Sequence, residues 1–284
     1  MEAYLDNSAT TGVAPEVCSL MRKIMLEDYG NPSSMHKKGV DAEKYIREAK
    51  ETLGGLLRVN PNEIFFTSGG TEADNMAILG TALANRRRGK HIITTGIEHP
   101  AVHEACRFLK EHAGFEITCL PVNEYGLVEP DTLKEALRED TILVSIMAVN
   151  NEIGAVEPIE ELGKIIKKYS QDIVFHVDAV QGFGKVKIFP YRCNIDLMSI
   201  SSHKIHGPKG VGMLFIKEKT KIKPTVSAAD SRRECVRALK MFPELREWPW
   251  RLKCFMTGLM RMLINFTSLR NISLMKFPKS KAPA

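Results

Sequence analysis

The segment that most constrains the fold reads Phe66-Thr-Ser-Gly-Gly-Thr-Glu-Ala-Asp-Asn75. It passes from an apolar run through two glycines and several hydroxyls into a helical pattern. Free backbone N–H groups and the positive end of a helix dipole at such a junction can receive a phosphate. An ordinary strand-to-helix turn capped by Ser or Thr gives the same pattern. No Gly-Lys-Ser/Thr follows, so the segment is not a Walker phosphate-binding loop.

Around this segment, short apolar runs alternate with longer helical patterns from about residue 60 to 217. The predicted strands are 64–67, 91–95, 116–120, 142–149, 173–178, 196–201 and 210–216, and the predicted helices are 15–27, 40–57, 72–87, 101–113, 130–137 and 159–169. Strands that alternate with helices are typical of a mostly parallel sheet covered by helices. We therefore predict an α/β fold.

Length and composition favour a globular protein outside the membrane. The chain has 284 residues, of which 44% are hydrophobic and 26% charged, enough for one sizeable core and a smaller second unit. No apolar stretch is long enough to span a bilayer, and the start around Glu2 and Asp6 lacks the zones of a signal peptide, so we expect a cytoplasmic protein. The six cysteines contain no Cys-x-x-Cys pair, which favours neither a metal site nor a disulfide framework.

The net positive charge of the chain comes from its last 60 residues. The net charge is +6, but residues 225–284 carry 12 Lys and Arg against 4 Asp and Glu, whereas residues 1–224 carry 28 against 30. This distribution argues against nucleic-acid binding by the main body of the chain. It also marks a change of character near Pro224, where we place a domain boundary.

Two further motifs follow predicted strands. His176-Val-Asp-Ala-Val-Gln181 ends a strand with a carboxylate, where open α/β sheets bind ligands, and Asp178 could pair there with a protonated ring nitrogen. Ser201-Ser-His-Lys-Ile-His-Gly-Pro-Lys-Gly210 offers an amine among hydroxyl and imidazole groups, and a lysine in such surroundings can attack an aldehyde. A helix cap or salt bridge for Asp178 and a solvated charge for Lys204 are the alternatives.

Two more motifs add an imidazole and amides. Ile97-Glu-His-Pro-Ala-Val102 places His99 between a strand and a helix, where it could stack on a flat ring and move protons, although capping and core histidines are common. Asn150-Asn-Glu-Ile-Gly154 could hold a phenolic oxygen or a substrate carboxylate, although Asn residues after a strand often only form turns.

Together with Tyr4-Leu-Asp-Asn-Ser-Ala-Thr-Thr11, these motifs resemble, in this order, the NifS/IscS-type cysteine desulfurases of the class V aminotransferase group. The resemblance covers essentially all of residues 1–224. It implies the large domain of a type I transferase dependent on pyridoxal 5'-phosphate. The implied roles are a Schiff-base lysine at Lys204, ring stacking and acid/base chemistry at His99, phosphate binding by Gly70, Thr71, Ser201 and His203, a pyridine-nitrogen partner at Asp178, and phenolic-oxygen contacts from Asn151 and Gln181.

The implied reaction takes sulfur from L-cysteine, leaving L-alanine and an enzyme persulfide for iron–sulfur cluster assembly or tRNA thiolation. The resemblance also implies a homodimer and a sulfur-acceptor scaffold protein, without direct nucleic-acid binding. Another class V enzyme, such as a selenocysteine lyase or an aminotransferase, and a non-catalytic fragment are the alternatives.

The pattern breaks after Lys223-Pro224. The family expects a second glycine-rich stretch and a loop with the nucleophilic cysteine, and residues 225–284 match neither, so we assign no role to Cys235 or Cys254 and expect a truncated or replaced small domain. With suitable codons, the residues from Ser227 onward, read one base earlier, give the missing glycine-rich motif. We therefore hypothesise a frameshift near Pro224; a genuine divergent extension is the alternative.

Overall fold

The computed structural model of the chain describes residues 3–225. The expectations for the tail, including those for Cys235 and Cys254, lie outside the described residues.

Within the described range, helices and strands alternate along most of the chain. The helices are α1 (Pro15–Leu26), α2 (Lys37–Leu57), α3 (Gly70–Asn85), α4 (Pro100–Ala113), α5 (Pro130–Ala136) and α6 (Ile159–Tyr169). The strands are β1 (Ile64–Thr67), β2 (His91–Thr95), β3 (Glu116–Leu120), β4 (Thr141–Met147), β5 (Val174–Asp178), β6 (Leu197–Ser201) and β7 (Gly212–Ile216). Short 3₁₀ turns occupy Pro61–Glu63 and Ser202–Lys204. The α/β prediction is confirmed.

The seven strands form one sheet in the order β1-β7-β6-β5-β4-β2-β3. The β2–β3, β2–β4, β4–β5 and β5–β6 pairs are parallel, whereas β7 runs antiparallel to both of its neighbours. Six strands therefore point the same way, and their carboxyl ends lie along one edge of the sheet. Open sheets of this kind bind ligands at that edge.

All strands except the edge strand β3 are buried along their whole length, so the sheet is covered on both faces there. Successive residues point to opposite faces: Ile93 and Val144 pack in one apolar cluster with residues of α1, α2 and α6, whereas Ile92 and Leu143 pack in a second cluster with α3 and α4. The helices therefore form a layer on each side of the sheet.

The predicted strand 142–149 is wrong at its end, because β4 stops at Met147. The Ala148 N–H donates to the Asp178 carbonyl at 2.8 Å, and Val149 pairs with Val156 in an isolated bridge. The chain thus turns away over the end of β5. The predicted helix 72–87 in fact begins at Gly70, directly after the glycine turn.

Candidate active site

Several polar side chains meet at the carboxyl edge of the sheet. Met147 is in register with Asp178 across β4 and β5, and Gly212 is paired with both Ser201 and Thr67. A cavity of about 520 Å³ opens above these strand ends. Its volume lies within the usual range for small-molecule and cofactor sites.

The structure brings all nine sequence-predicted site residues to this cavity. Its lining includes Gly70, Thr71, His99, Asn151, Asp178, Gln181, Ser201, His203 and Lys204. Sequence reasoning missed other lining residues, namely Ser8, Ala9, Asp74, Met147, Val149, Glu152 and Val180. Five of them, Ser8, Ala9, Asp74, Glu152 and Val180, belong to quoted motifs, but their residue types alone carried no signal for a role.

Lys204 ends the 3₁₀ turn that follows β6, and its amine is held by backbone carbonyls from the beginning of the chain. Its Nζ donates to the carbonyl oxygens of Ser8 at 2.6 Å and Ala9 at 2.9 Å. The N-terminal segment is fixed in turn, since the Thr11 N–H donates to the His203 carbonyl at 2.8 Å. Hydrogen bonds between the N-terminal segment and the turn at Lys204 thus hold the amine at the cavity.

The amine of Lys204 is half-buried, and its pKa is lowered. Burial is the main cause and the positive charge of Lys185 the second, while the carboxylates of Asp178 and Asp6 act in the opposite direction. A lysine with a lowered pKa carries a larger unprotonated fraction near neutral pH. It is therefore a better nucleophile than an ordinary surface lysine.

Asp178 ends β5 and is only 5% exposed. Burial raises its pKa, whereas the Val180 N–H that donates to its Oδ1 at 2.8 Å and the charge of Lys204 lower it. A buried carboxylate in this position is stabilised further by a cationic partner in the cavity. A protonated ring nitrogen is such a partner.

The beginning of α3 also lines the site. Gly70 is the first residue of the helix, and a Cβ atom there would lie 2.7 Å from Cγ2 of Val180, so the close packing of helix and strand end favours glycine. An adjoining cavity of about 470 Å³ shares Gly70, Thr71, Ser201 and His203 with the first. N–H groups of a helix terminus, hydroxyls and an imidazole form a donor set that suits a phosphate.

His99 caps α4, since its Nδ1 accepts the Ala101 N–H at 3.1 Å. This bond requires an unprotonated Nδ1, so the neutral ring carries its hydrogen on Nε2. Burial, followed by the charges of Lys204 and His103, lowers the pKa of His99. The residue therefore serves both as a helix cap and as an uncharged ring at the cavity wall.

The loop after β4 is held by Asn150, whose Oδ1 accepts the N–H groups of Glu152 at 2.8 Å and Ile153 at 2.9 Å. The Asx turn predicted as an alternative thus exists, and it places Asn151 in the cavity lining. Gln181 also lines the cavity and donates from Nε2 to the Ser8 carbonyl at 2.8 Å.

A buried polar layer lies behind Asp178. Glu98 accepts hydrogen bonds at Oε1 from the Thr95 hydroxyl at 2.8 Å and the Met147 N–H at 2.9 Å, and burial raises its pKa to about 8. Asp74 Oδ1 has no hydrogen-bond partner among the described residues and lies 3.6 Å from Nε2 of His176. Burial raises the pKa of Asp74 and lowers that of His176 to about 3, so burial disfavours the charged form of both groups.

Comparisons with known proteins agree with this geometry. A family model described as Aminotransferase class-V matches residues 3–253. A cysteine desulfurase IscS of Dictyoglomus turgidum is 53% identical over 225 residues, 79% of this chain and 56% of the relative, and one of Methanosarcina thermophila is 50% identical over 231 residues, 81% and 56%. This chain thus spans little more than half the length of these curated relatives.

Solved structures show the same likeness in three dimensions. A NifS-like protein superimposes with a TM-score of 0.86 at 36% identity, over 95% of this chain and 70% of the other. A structure described as SspA in complex with cysteine has a TM-score of 0.84 at 34% identity, over 93% and 73%.

The parallel sheet, the lysine after one strand and the buried carboxylate at the end of its neighbour define the large domain of a pyridoxal-phosphate-dependent type I transferase. The chain belongs to the class V aminotransferase family, whose members use pyridoxal phosphate, and its relatives are NifS/IscS cysteine desulfurases. The predicted family is confirmed.

Proposed function

We propose that this chain forms the cofactor-binding part of a cysteine desulfurase, an enzyme that removes sulfur from L-cysteine and leaves L-alanine and a persulfide. The observation that carries the proposal is the half-buried amine of Lys204, with its lowered pKa, in one cavity with the buried carboxyl of Asp178. Pairs of titratable groups with perturbed pKa values in one cleft are typical of catalytic sites.

The donor set of the cavity fits pyridoxal phosphate. The phosphate would be held by the beginning of α3 at Gly70 and Thr71 and by Ser201 and His203 at the shared wall of the two cavities. The close packing of Gly70 on Val180 supports this assignment, because a larger residue would push the helix terminus away from the strand end.

The remaining residues would act on the ring and its substituents. Lys204 Nζ would bond to the aldehyde carbon, the Asp178 carboxylate would hold a proton on the pyridine nitrogen, and Asn151 and Gln181 would hold the phenolic oxygen. When bound, pyridoxal phosphate supplies an electron-withdrawing ring that stabilises negative charge developing on an amino-acid substrate. His99 would cover the ring face and move protons through Nε2.

L-Cysteine is the proposed substrate, supported by the cysteine desulfurase relatives and by the similar structure in complex with cysteine. The sulfur would pass to a scaffold protein for iron–sulfur clusters or to a tRNA-thiolation pathway. Turnover of selenocysteine alone, or amino-group transfer, would instead favour a selenocysteine lyase or an aminotransferase.

We also propose that the chain is a cytoplasmic homodimer with a domain boundary near Pro224. Apolar side chains near its beginning support a second copy as partner, since Leu5 is 90% exposed and Met35 is 98% exposed. The free thiols of Cys106 and Cys193 support a reducing compartment. Within residues 3–225, no helix is both long and apolar enough to cross a membrane.

The first prediction concerns the cofactor lysine. Addition of pyridoxal phosphate, borohydride reduction and peptide mass spectrometry should find a covalent adduct on Lys204. Lys204→Ala should abolish this adduct, whereas Lys187→Ala, a change of an exposed lysine on a nearby loop, should leave it intact. A reduced adduct on Lys209, or an adduct that survives in Lys204→Ala, would contradict the assignment.

A further inference from the structure

A second lysine is connected to Lys204 through a chain of hydrogen bonds. Lys185 Nζ donates to Oε1 of Gln181 at 3.0 Å, and Gln181 Nε2 donates to the Ser8 carbonyl at 2.8 Å. The same carbonyl accepts a hydrogen bond from Lys204 Nζ at 2.6 Å. The two amines therefore stand at opposite ends of a bridge made of one side-chain amide and one backbone carbonyl.

The bridge is anchored in the fold. Gln181 is only 7% exposed, so its amide has little freedom to turn. Lys185 lies in a turn where its own N–H donates to the Gly182 carbonyl at 3.1 Å and that of Val186 donates to the same oxygen at 2.9 Å. This turn directs the Lys185 side chain back toward the strand end.

Lys185 determines which way the amide of Gln181 points. An ammonium group can only donate hydrogen bonds, so it requires the amide oxygen and would oppose the amide nitrogen in the same place. With Oε1 held by Lys185, Nε2 must face Ser8 and the cavity. Nε2 of Gln181 therefore presents a hydrogen-bond donor to the cavity, which suits the phenolic oxygen of the proposed cofactor.

Lys185 also acts on Lys204 through its charge. Burial lowers the pKa of Lys204 most, and the charge of Lys185 lowers it next. Asp178 and Asp6 act in the opposite direction. The imidazoles of His99 and His203 also face Lys204, and burial, followed by the charge of Lys204, lowers the pKa of each ring. Loss of Lys185 would leave the two carboxylates to act on the amine without an opposing side-chain cation.

We propose that Lys185 is a positioning residue for the cofactor lysine: it orients the Gln181 amide and keeps the amine of Lys204 reactive toward an aldehyde. In such a reaction the lone pair of the unprotonated Nζ would add to an aldehyde carbon, and the carbonyl oxygen would leave as water with the two hydrogens of the amine as the C=N bond forms. The role of Lys185 in cofactor binding rests on the proposed function, whereas its effect on the amine of Lys204 concerns this chain's own residues.

The test uses the full chain without cofactor. Trace labelling with acetic anhydride across a pH series, followed by peptide mass spectrometry, reports the unprotonated fraction of each lysine. We expect Lys185→Met and Lys185→Gln to lower the labelling rate of Lys204 near pH 8 by roughly threefold or more, because a nearby like charge is lost. Lys185→Arg keeps the cation and should restore the rate.

Lys187→Gln is the matched control, since Lys187 is an exposed lysine two residues away that makes no side-chain bond within residues 3–225. It should leave labelling of Lys204 unchanged. Equal labelling of Lys204 in wild type and both Lys185 variants that lack the cation would overturn the proposal, and so would an equal decrease in the control.

A second measurement separates this proposal from the proposed function. The rate at which added pyridoxal phosphate forms an adduct on Lys204, followed by absorbance, should fall in Lys185→Met and recover in Lys185→Arg. If labelling responds to Lys185 but wild type forms no adduct, the cofactor assignment fails and the electrostatic coupling stands. If wild type forms the adduct at a rate that Lys185→Met does not change, the role of Lys185 fails alone.

Discussion

Three buried carboxyl groups lie close together at the site, and their surroundings differ. Asp178 faces the charge of Lys204 and accepts a backbone N–H, both of which favour its ionised form. For Asp74, burial is followed by repulsion from Asp178, and both raise its pKa. Glu98 is raised mainly by burial, with Asp178 adding to it. Of the three, Asp178 is therefore the carboxyl whose ionised form its surroundings favour most.

A prediction about stability and pH follows from Glu98, because burial raises its pKa from 4.5 to about 8 in the folded protein. A raised pKa means that the protonated group stabilises the fold below about 4.5 and that this contribution is lost as the pH rises through about 8. Between these values the loss is about 1.4 kcal/mol per pH unit. Glu98→Gln, which cannot ionise, should flatten the profile of unfolding free energy by up to this slope.

Urea unfolding of the cofactor-free protein from pH 5.5 to 9 would measure the profile. Glu51→Gln is the matched control, because Glu51 is an exposed glutamate on α2, and its profile should run parallel to that of wild type. Parallel profiles for wild type and Glu98→Gln would show that Glu98 is already ionised in the fold.

At the level of elements, the sequence predicts where strands end better than where they begin, since the predicted starts 173, 196 and 210 lie one or two residues before those of β5, β6 and β7. The predicted strands 64–67, 91–95 and 116–120 agree with β1, β2 and β3 at both ends, because glycines, prolines and charged residues bound their apolar runs. The strand 142–149 was predicted too long because Ala148 and Val149 are also apolar. A tertiary hydrogen bond from Ala148 to the Asp178 carbonyl turns the chain there, and no local pattern signals that bond.

The fourth prediction compares two helical glycines. A Cβ atom on Gly163 in α6 would lie 2.0 Å from the carbonyl oxygen of Cys193, whereas one on Gly55 in α2 would meet nothing within 4 Å. The methyl group added by Gly163→Ala would push α6 away from the backbone at Cys193 and should destabilise the fold by about 1–3 kcal/mol. Gly55→Ala should stabilise it by about 0.5–1 kcal/mol, because glycine loses more backbone entropy in a helix.

Chemical denaturation of both variants against wild type would measure the two effects. Effects of the same sign and size would show that α6 does not pack on the turn at Cys193 as closely as described.

At the level of the whole molecule, the sequence predicts the site residues that lie at or after strand ends. It does not predict the backbone carbonyls that come to the site from a distant part of the chain. Asp178 ends a strand and Lys204 and His99 follow strand ends, so the topology of a parallel sheet brings them together. The carbonyls of Ser8 and Ala9 reach Lys204 across separations of 196 and 195 residues. Every residue carries such a carbonyl, so its role depends only on the tertiary fold.

The positions of the described cysteines decide whether a thiolate from residues 3–225 lies near the cavity. Within residues 3–225, Cys18, Cys106, Cys119 and Cys193 are all free, and none of them lines the cavity. Burial raises the pKa of Cys106 to about 12 and also raises that of Cys193, so neither is a ready nucleophile. The cavity proposed to bind the cofactor thus has no cysteine from residues 3–225 in its lining.

The last prediction is that this chain, as it stands, has little or no desulfurase turnover even when it binds its cofactor. Sulfur transfer requires a positioned thiolate, and misplacement of a reacting group lowers the rate by orders of magnitude. Neither the described cysteines nor the sequence of residues 225–284 offers the family's cysteine loop. Alanine and sulfide released from cysteine with a reductant should be measured beside a version whose reading frame is restored near Pro224, which should turn over. Comparable rates from both would show that residues 225–284 supply a working thiol and that the frameshift hypothesis is wrong.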